Sequence, residues 1–128
     1  MPTVSLPENT SWIKDVAYTL SGENNLEISY YDGIAEAMCR LLAVRDGELE
    51  LPDCVYDETR EESWEGNAPD GERVYVTVQR FADVREVLAA WEYKEYRFAI
   101  LGNADAGVED VSSIAKTALY IIGNFVEN

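Results

Sequence analysis

Four stretches of this 128-residue chain alternate apolar and polar side chains with the period of two that half-buried β-strands require. They are residues 13–20, 26–31, 73–80 and 93–101. The turn-forming sequence SGENN separates the first two, and we therefore predict a β-hairpin there. The rival interpretation is a helix that Thr10 or Ser11 caps and that ends at Leu20.

Three other stretches repeat their apolar residues at helical spacing. The first follows Asp32 as N-cap and stops at Gly47, with an apolar stripe of Ile34, Met38, Leu41 and Leu42. The second begins at Asp83, with Glu86 at capping-box spacing, and carries Val84, Val87, Leu88 and Trp91. The last predicts a C-terminal helix of about 18 residues. Its stripe is Val108, Val111, Ile114, Ala118, Ile121 and Phe125.

The expected fold is a single α+β domain over residues 1–128, with about three helices packed on a mixed sheet of roughly four to five strands. The predicted order is β-β-α-(β)-β-α-β-α, in which residues 48–52 supply the short optional strand. The two strands that flank the middle helix predict a right-handed parallel crossover. Residues 46–72 are predicted to form a long acidic loop in the middle of the domain, since the apolar residues in most of that segment repeat with neither the period of a strand nor that of a helix.

The charge of the chain is strongly negative and unevenly distributed. The net charge is −15 at pH 7. Residues 46–72 hold eleven acidic and one basic side chain, which gives −10, and the other 101 residues hold fourteen and nine, which gives −5. Such a field repels nucleic acid and anionic membranes, because phosphate is bound by Lys and Arg. The expected partner is therefore a basic protein.

Two aromatic side chains, Tyr56 and Trp64, lie within the acidic segment. Such residues anchor interfaces, and carboxylates around them steer a cationic partner towards contact. The predicted partner-binding residues are Asp53, Tyr56, Asp57, Glu58, Glu61, Glu62, Trp64, Glu65 and Asp70. The alternatives are that the segment is simply a solvated loop, or that Trp64 folds back onto the core as a lid.

Catalytic and metal-binding signatures are weak or missing in the sequence. The chain has no histidine, which removes the commonest general base and metal ligand. The carboxylates of residues 53–62 could ligate calcium or magnesium, yet no window fits an EF-hand loop. The segment GNADAG (102–107) matches no phosphate-binding motif, and Asp105, Glu109 and Asp110 are interpreted as helix-start residues. We predict no catalytic residues, no metal and no cofactor.

The cysteines and the apolar segments suggest a cytoplasmic protein with reduced thiols. Cys39 and Cys54 are too far apart for a CxxC motif, and a disulfide between them has no support in the sequence. Cys39 is expected to be buried. The N-terminus lacks a basic region followed by an apolar one, and the apolar segment around Lys116 is too short to span a bilayer.

These features predict a small acidic inhibitor that covers the active surface of a cationic protein. The natural example is an immunity protein or antitoxin that neutralises a nuclease-type toxin, whose nucleic-acid-binding surface must carry Lys and Arg. One alternative is a DNA mimic of the anti-restriction or anti-CRISPR kind, which needs carboxylates spaced over a long surface. A second is an enzyme that uses carboxylate chemistry. A further hypothesis is that the acidic residues keep the protein soluble at high salt.

Overall fold

The computed structural model describes residues 4, 6, 12–20, 24–49, 51, 61–80, 86–104 and 112–126. These ranges contain seven β-strands and one α-helix. The strands are β1 (Ile13–Leu20), β2 (Asn25–Asp32), β3 (Ala37–Arg45), β4 (Glu62–Asn67), β5 (Arg73–Arg80), β6 (Glu86–Tyr93) and β7 (Tyr96–Ala104). The helix, α1, spans Ser112–Gly123.

All seven strands form one antiparallel sheet in the order β1-β2-β3-β7-β6-β5-β4. Two runs of sequential strands, β1 to β3 and β4 to β7, meet where β3 pairs with β7 at the centre. The predicted hairpin is confirmed as β1 and β2, which excludes the rival helix ending at Leu20. The strands predicted over 73–80 and 93–101 are β5 and β7.

The predicted mixed sheet with about three helices is wrong, and the segment after Asp32 shows why. It forms β3, in which Ala37, Cys39, Leu41 and Ala43 alternate as buried residues. Pairing with β2 on one side and β7 on the other overrides the helix-favouring composition of this segment. Asp32 caps a turn instead of a helix, because its Oδ1 accepts hydrogen bonds from the backbone N–H groups of Ile34 (2.9 Å) and Ala35 (3.0 Å).

The predicted middle helix and its parallel crossover are also wrong. Residues 86–93 form β6, whose buried side chains include Val87, Ala89, Trp91 and Tyr93 at the period of a strand. β6 runs antiparallel to both β5 and β7. A two-residue turn, Lys94 and Glu95, joins β6 to β7, with Lys94 at a φ of 55°. A turn this short permits antiparallel pairing alone, since a parallel connection needs a long crossover.

The predicted loop over residues 46–72 is wrong for its second half, which contains β4 and the turn that leads into β5. Gly71, at a φ of 89°, lies in this turn, where an L side chain would be strained. The short strand predicted over residues 48–52 does not form at its described positions, 48, 49 and 51. Residues 52–60 lie outside the described residues.

Helix α1 confirms the predicted C-terminal helix over the 12 residues Ser112–Gly123, whereas Val108 and Val111 of its predicted stripe, with Asp105, Glu109 and Asp110, lie outside the described residues. It packs on β4, β5, β6 and β7, and buries Ile114, Ala118 and Ile121 against the sheet. Phe125, just after α1, contacts Tyr93, Tyr96 and Phe98 at ring-centroid distances of 5.2–5.8 Å. No helix in the described ranges is long and apolar enough to cross a membrane.

The opposite face of the sheet, here called the open face, carries a second and smaller apolar cluster. Its buried members are Leu88, Ala99 and Leu101, and Leu42, Leu49 and Ala90 pack against them. Leu49 belongs to the segment that leaves β3, and its contact with this cluster places the chain against the open face at that point. The acidic segment therefore begins on this face.

Candidate partner-binding site

The structure describes five of the nine predicted partner-binding residues, and they lie immediately before β4, on β4 or on the turn after it. They are Glu61, Glu62, Trp64, Glu65 and Asp70. The other four, Asp53, Tyr56, Asp57 and Glu58, lie outside the described residues. The described members therefore come together on an edge of the sheet instead of in a free loop, because β4 pairs with β5 over six residues.

Alternation along β4 divides its carboxylates between the two faces of the sheet. Trp64 lies opposite Val76, on the side that α1 covers, whereas Glu65 lies opposite Tyr75, on the open face. Glu61 also reaches the open face, since its Oε2 accepts a hydrogen bond of 3.4 Å from Gln79. The carboxylates thus flank the edge of the sheet on both sides, and each of them is exposed.

Trp64 is half-buried and packs against the main core cluster. Its Nε1 donates a hydrogen bond of 3.4 Å to Oε2 of Glu62 on the same side of the strand. The indole ring therefore contributes apolar contacts to the fold and shows only part of its surface at the edge. This geometry fits the alternative in which Trp64 folds back onto the core. The exposed part of its ring lies beside the acidic edge.

Asp70 is an exposed carboxylate that the turn after β4 holds in place. Its Oδ1 accepts the backbone N–H of Glu72 at 2.9 Å, and its Oδ2 accepts the hydroxyl of Tyr93 at 2.7 Å. These hydrogen bonds, the backbone one foremost, lower the pKa of Asp70 below its ordinary value, and the nearby Lys94 adds to the effect. Asp70 is therefore ionised and fixed in orientation at neutral pH.

Most of the described basic residues of the sheet are neutralised by carboxylates of the same chain. Arg97 lies 2.7 Å from Glu48 and 3.4 Å from Glu92. Four more basic side chains lie within 4.0 Å of a carboxylate, and these are Arg40, Arg45, Arg73 and Lys94. Residues 61–72 contain five carboxylates and no basic residue, and two of these carboxylates, Glu65 and Asp70, lie 3.9 Å from Arg73 and 4.0 Å from Lys94. This edge therefore retains a local excess of negative charge.

The ion pair between Glu48 and Arg97, together with Leu49, fixes the start of the acidic segment on the open face. Beside it lies a groove of about 600 Å³, whose lining includes Leu51, Tyr75 and Gln79. Its two arginines, Arg73 and Arg97, are both ion-paired within the chain. The alternation of Leu49 and Leu51 with acidic residues is the sequence signal for this anchor, although from the sequence alone it predicts a short strand over residues 48–52.

Neighbouring positions on β2 and β3 carry a group of buried polar side chains. Tyr30, Asp32 and Cys39 are fully buried. Burial raises the pKa of Tyr30 well above its usual value and, together with the negative charge of Asp32, raises the pKa of Cys39 to about 12. A thiol with so high a pKa is protonated and a poor nucleophile at neutral pH. Cys39 carries no disulfide, and Cys54 lies outside the described residues.

Within the described part of the chain, no three acidic or cysteine side chains converge as a metal site. Residues 61–72 offer instead an exposed strand edge, five carboxylates and part of the indole ring of Trp64. These are groups that bind a cationic surface through charge and hydrogen bonds. No protein-family model, curated protein or solved structure matches this chain, so the geometry and charge of the chain itself are the basis for assigning a function.

Proposed function

We propose that this chain is an inhibitor that binds a cationic protein through the edge formed by β4 and its following turn. The observation that carries the proposal is the excess charge of residues 61–72, with five carboxylates and no basic residue on an exposed strand and turn. At this edge the five carboxylates face two basic neighbours, Arg73 beside Glu65 and Lys94 beside Asp70, so an excess of negative charge remains. A cationic partner is therefore attracted most strongly to this edge.

The partner class follows from what a cationic protein surface commonly does. Enzymes that act on nucleic acids carry Lys and Arg where they hold phosphate. Carboxylates that occupy those positions exclude the substrate, which is how an immunity protein or antitoxin acts on a nuclease-type toxin. The proposed inhibition needs neither a cofactor nor a catalytic residue from this chain.

The first experiment tests for such a partner directly. The immobilised protein is incubated with lysate of its host at low salt, and bound proteins are eluted with high salt and assayed for nuclease activity. We expect a basic protein whose nuclease activity is lost when the acidic protein is added back. Eluted proteins that are acidic, or whose activity the acidic protein leaves unchanged, would contradict the proposal.

The association rate with that partner should fall steeply as salt increases, because exposed charges steer the encounter. Stopped-flow measurements at about 0.01 M and about 0.15 M salt compare the two regimes, since the screening length shortens between them. The double variant Glu61→Gln/Glu65→Gln should reduce both the rate and its dependence on salt. The control variant Asp15→Asn/Glu36→Gln also removes two negative charges, but at positions away from β4. It should change the association rate less. Equal effects of the two variants would place the docking surface elsewhere.

A further inference from the structure

The two edge strands of the sheet are protected in different ways. On β1, the register with β2 shifts between Lys14 and Ala17, and Asp15 adopts a φ of 55°. A bulge of this kind twists the edge and hinders the pairing of a further strand beside residues 14–17. On β4, pairing with β5 is regular from Glu62 to Asn67, without a shift. Among the described residues, β4 has a strand neighbour on one side only.

The protection of β4 comes from charge. Exposed acidic side chains on an edge strand oppose pairing with another edge of the same charge. Glu61, Glu62 and Glu65 supply this charge, and a second copy of this chain would bring the same carboxylates to the contact. A bulge hinders pairing whatever the charge of the incoming strand, whereas acidic side chains oppose only strands that are also acidic. The β4 edge therefore remains available to a cationic strand.

The β4 edge is also held firmly in place. A Cβ on Gly66 would lie 2.9 Å from Cδ2 of Leu119, so glycine here lets α1 pack directly on β4. Ile122 of α1 approaches the same glycine, and Trp64 packs against the core from the same face. An edge that is fixed before binding loses little conformational freedom when a partner strand is added.

We propose that β4 binds an extended cationic segment of the partner, which joins the sheet as an additional strand beyond β4. This inference rests on the proposed function and specifies how the partner docks. Backbone hydrogen bonds to β4 provide affinity, and side chains at alternate positions provide selectivity, as in other cases of strand addition. An added strand would lie about 4.8 Å from β4, within reach of its carboxylates.

Alternation predicts which side chains the added strand must carry. Glu61 and Glu65 favour Lys or Arg on the open-face side of that strand. On the other side, Trp64 and Glu62 offer a partly exposed indole ring beside a single carboxylate. The segment that fits best has basic residues at every second position and apolar residues between them.

The test uses two synthetic peptides of alternating lysine and valine, long enough to span the six residues of β4. The second peptide is N-methylated at every residue, so that its charge is kept while neither edge of its backbone can donate a hydrogen bond to β4. We expect the unmodified peptide to bind the full-length protein and the methylated peptide to bind about tenfold or more weakly, because backbone hydrogen bonds are lost. Titration calorimetry measures both affinities.

Amide hydrogen exchange followed by NMR locates the contact. We expect the unmodified peptide to slow exchange at amides of residues 62–67 and to leave those of β1 unchanged. The variant Glu61→Gln/Glu65→Gln should weaken binding several-fold, and Asp15→Asn/Glu36→Gln should weaken it less. Asn is a suitable control at Asp15, since it tolerates the positive φ of that position.

Several outcomes would overturn the inference. Equal affinity of the two peptides, protection of β1 instead of β4, or no binding of either peptide would each exclude strand addition at β4. Slowed exchange at β4 in the concentrated protein alone would show that charge does not exclude a second copy. None of these results bears on whether the host partner is cationic and inhibited, which the lysate experiment decides separately.

Discussion

At the scale of single residues, Trp64 and Asp70 show how the acidic edge is built. Trp64 directs its indole towards the core, while Glu65, the next residue, lies on the open face. Asp70 holds the turn after β4 through the backbone of Glu72 and the hydroxyl of Tyr93. Each residue therefore has a structural role in addition to its place on the proposed binding surface.

Replacing Trp64 with Ala should lower the free energy of unfolding by about 1–3 kcal/mol, which is below the range for fully buried large side chains because the ring is half-buried. The matched control is Tyr75→Ala on the neighbouring strand. Tyr75 is 54% exposed, and its loss should cost less than about 1 kcal/mol. Urea denaturation measures both. An unchanged stability of the Trp64 variant would show that the indole does not support the fold.

The hydrogen bond from Tyr93 to Asp70 predicts a specific dependence on pH. In Tyr93→Phe, the pKa of Asp70 should rise towards its ordinary value, because one of the groups that lower it is removed. A carboxyl whose pKa is lowered on folding stabilises the protein above its unfolded pKa, and this contribution disappears as the pH falls through the folded pKa. The variant should therefore differ from the natural protein most at neutral pH and least in acid.

An NMR titration of the Asp70 carboxyl carbon checks this expectation. Tyr75→Phe serves as the control, since the hydroxyl bound to Asp70 belongs to Tyr93. If the pKa of Asp70 is the same in the natural protein and in Tyr93→Phe, the hydrogen bond does not affect ionisation.

At the scale of elements, α1 fixes the proposed binding edge by packing closely on the sheet. Two glycines permit this approach, Gly66 on β4 and Gly102 on β7. A Cβ on Gly102 would lie 2.9 Å from Cδ1 of Ile114 and 3.3 Å from Sγ of Cys39. The distance between helix and sheet is thus set by the absence of two side chains.

Gly102→Ala should destabilise the fold by about 1–3 kcal/mol through overpacking. Ile114→Val removes the methyl carbon that the new Cβ would meet, and alone should cost about 0.5–1.5 kcal/mol. The double variant should be more stable than the sum of the two losses predicts, because the clash is relieved. Gly123→Ala is the control, since the nearest atom to its added Cβ is 3.8 Å away. Strictly additive losses would contradict the packing argument.

At the scale of the whole molecule, the net charge of −15 acts on both folding and binding. Carboxylates close together on a folded surface repel one another more than they do in an extended chain. The ion pairs around the arginines are exposed, and such pairs contribute little to stability. Repulsion should therefore dominate the electrostatic part of the folding free energy.

Thermal stability should accordingly rise when sodium chloride is increased from about 0.01 M to about 0.15 M, because salt screens this repulsion. Differential scanning calorimetry measures the midpoint at each concentration. Asp15→Asn/Glu36→Gln makes the net charge less negative by two and should reduce the response of the midpoint to salt. A midpoint that falls with salt would show that the ion pairs outweigh the repulsion.

The sequence by itself predicted those elements whose periodicity is regular. The alternation in residues 13–20, 26–31 and 73–80 predicted β1, β2 and β5, although a helix ending at Leu20 stayed open as the rival, and the stripe from Val108 to Phe125 predicted α1. The sequence also places the excess of acidic charge in residues 46–72, which include β4. These signals are local, since the periodicity of an element and the sum of its charges need no knowledge of its neighbours.

Only the tertiary structure decided β3, β4 and β6, and with them the antiparallel topology. The segment around Met38 and Leu42 fits a helical stripe, but its alternating Ala37, Cys39 and Leu41 fit a strand equally well. Pairing with distant residues chose between them, because β3 gains hydrogen-bonded neighbours on both sides from β2 and β7. β4 has few apolar residues of its own and becomes a strand through β5 and α1. Composition therefore set the charge of this surface, and remote pairing set its shape.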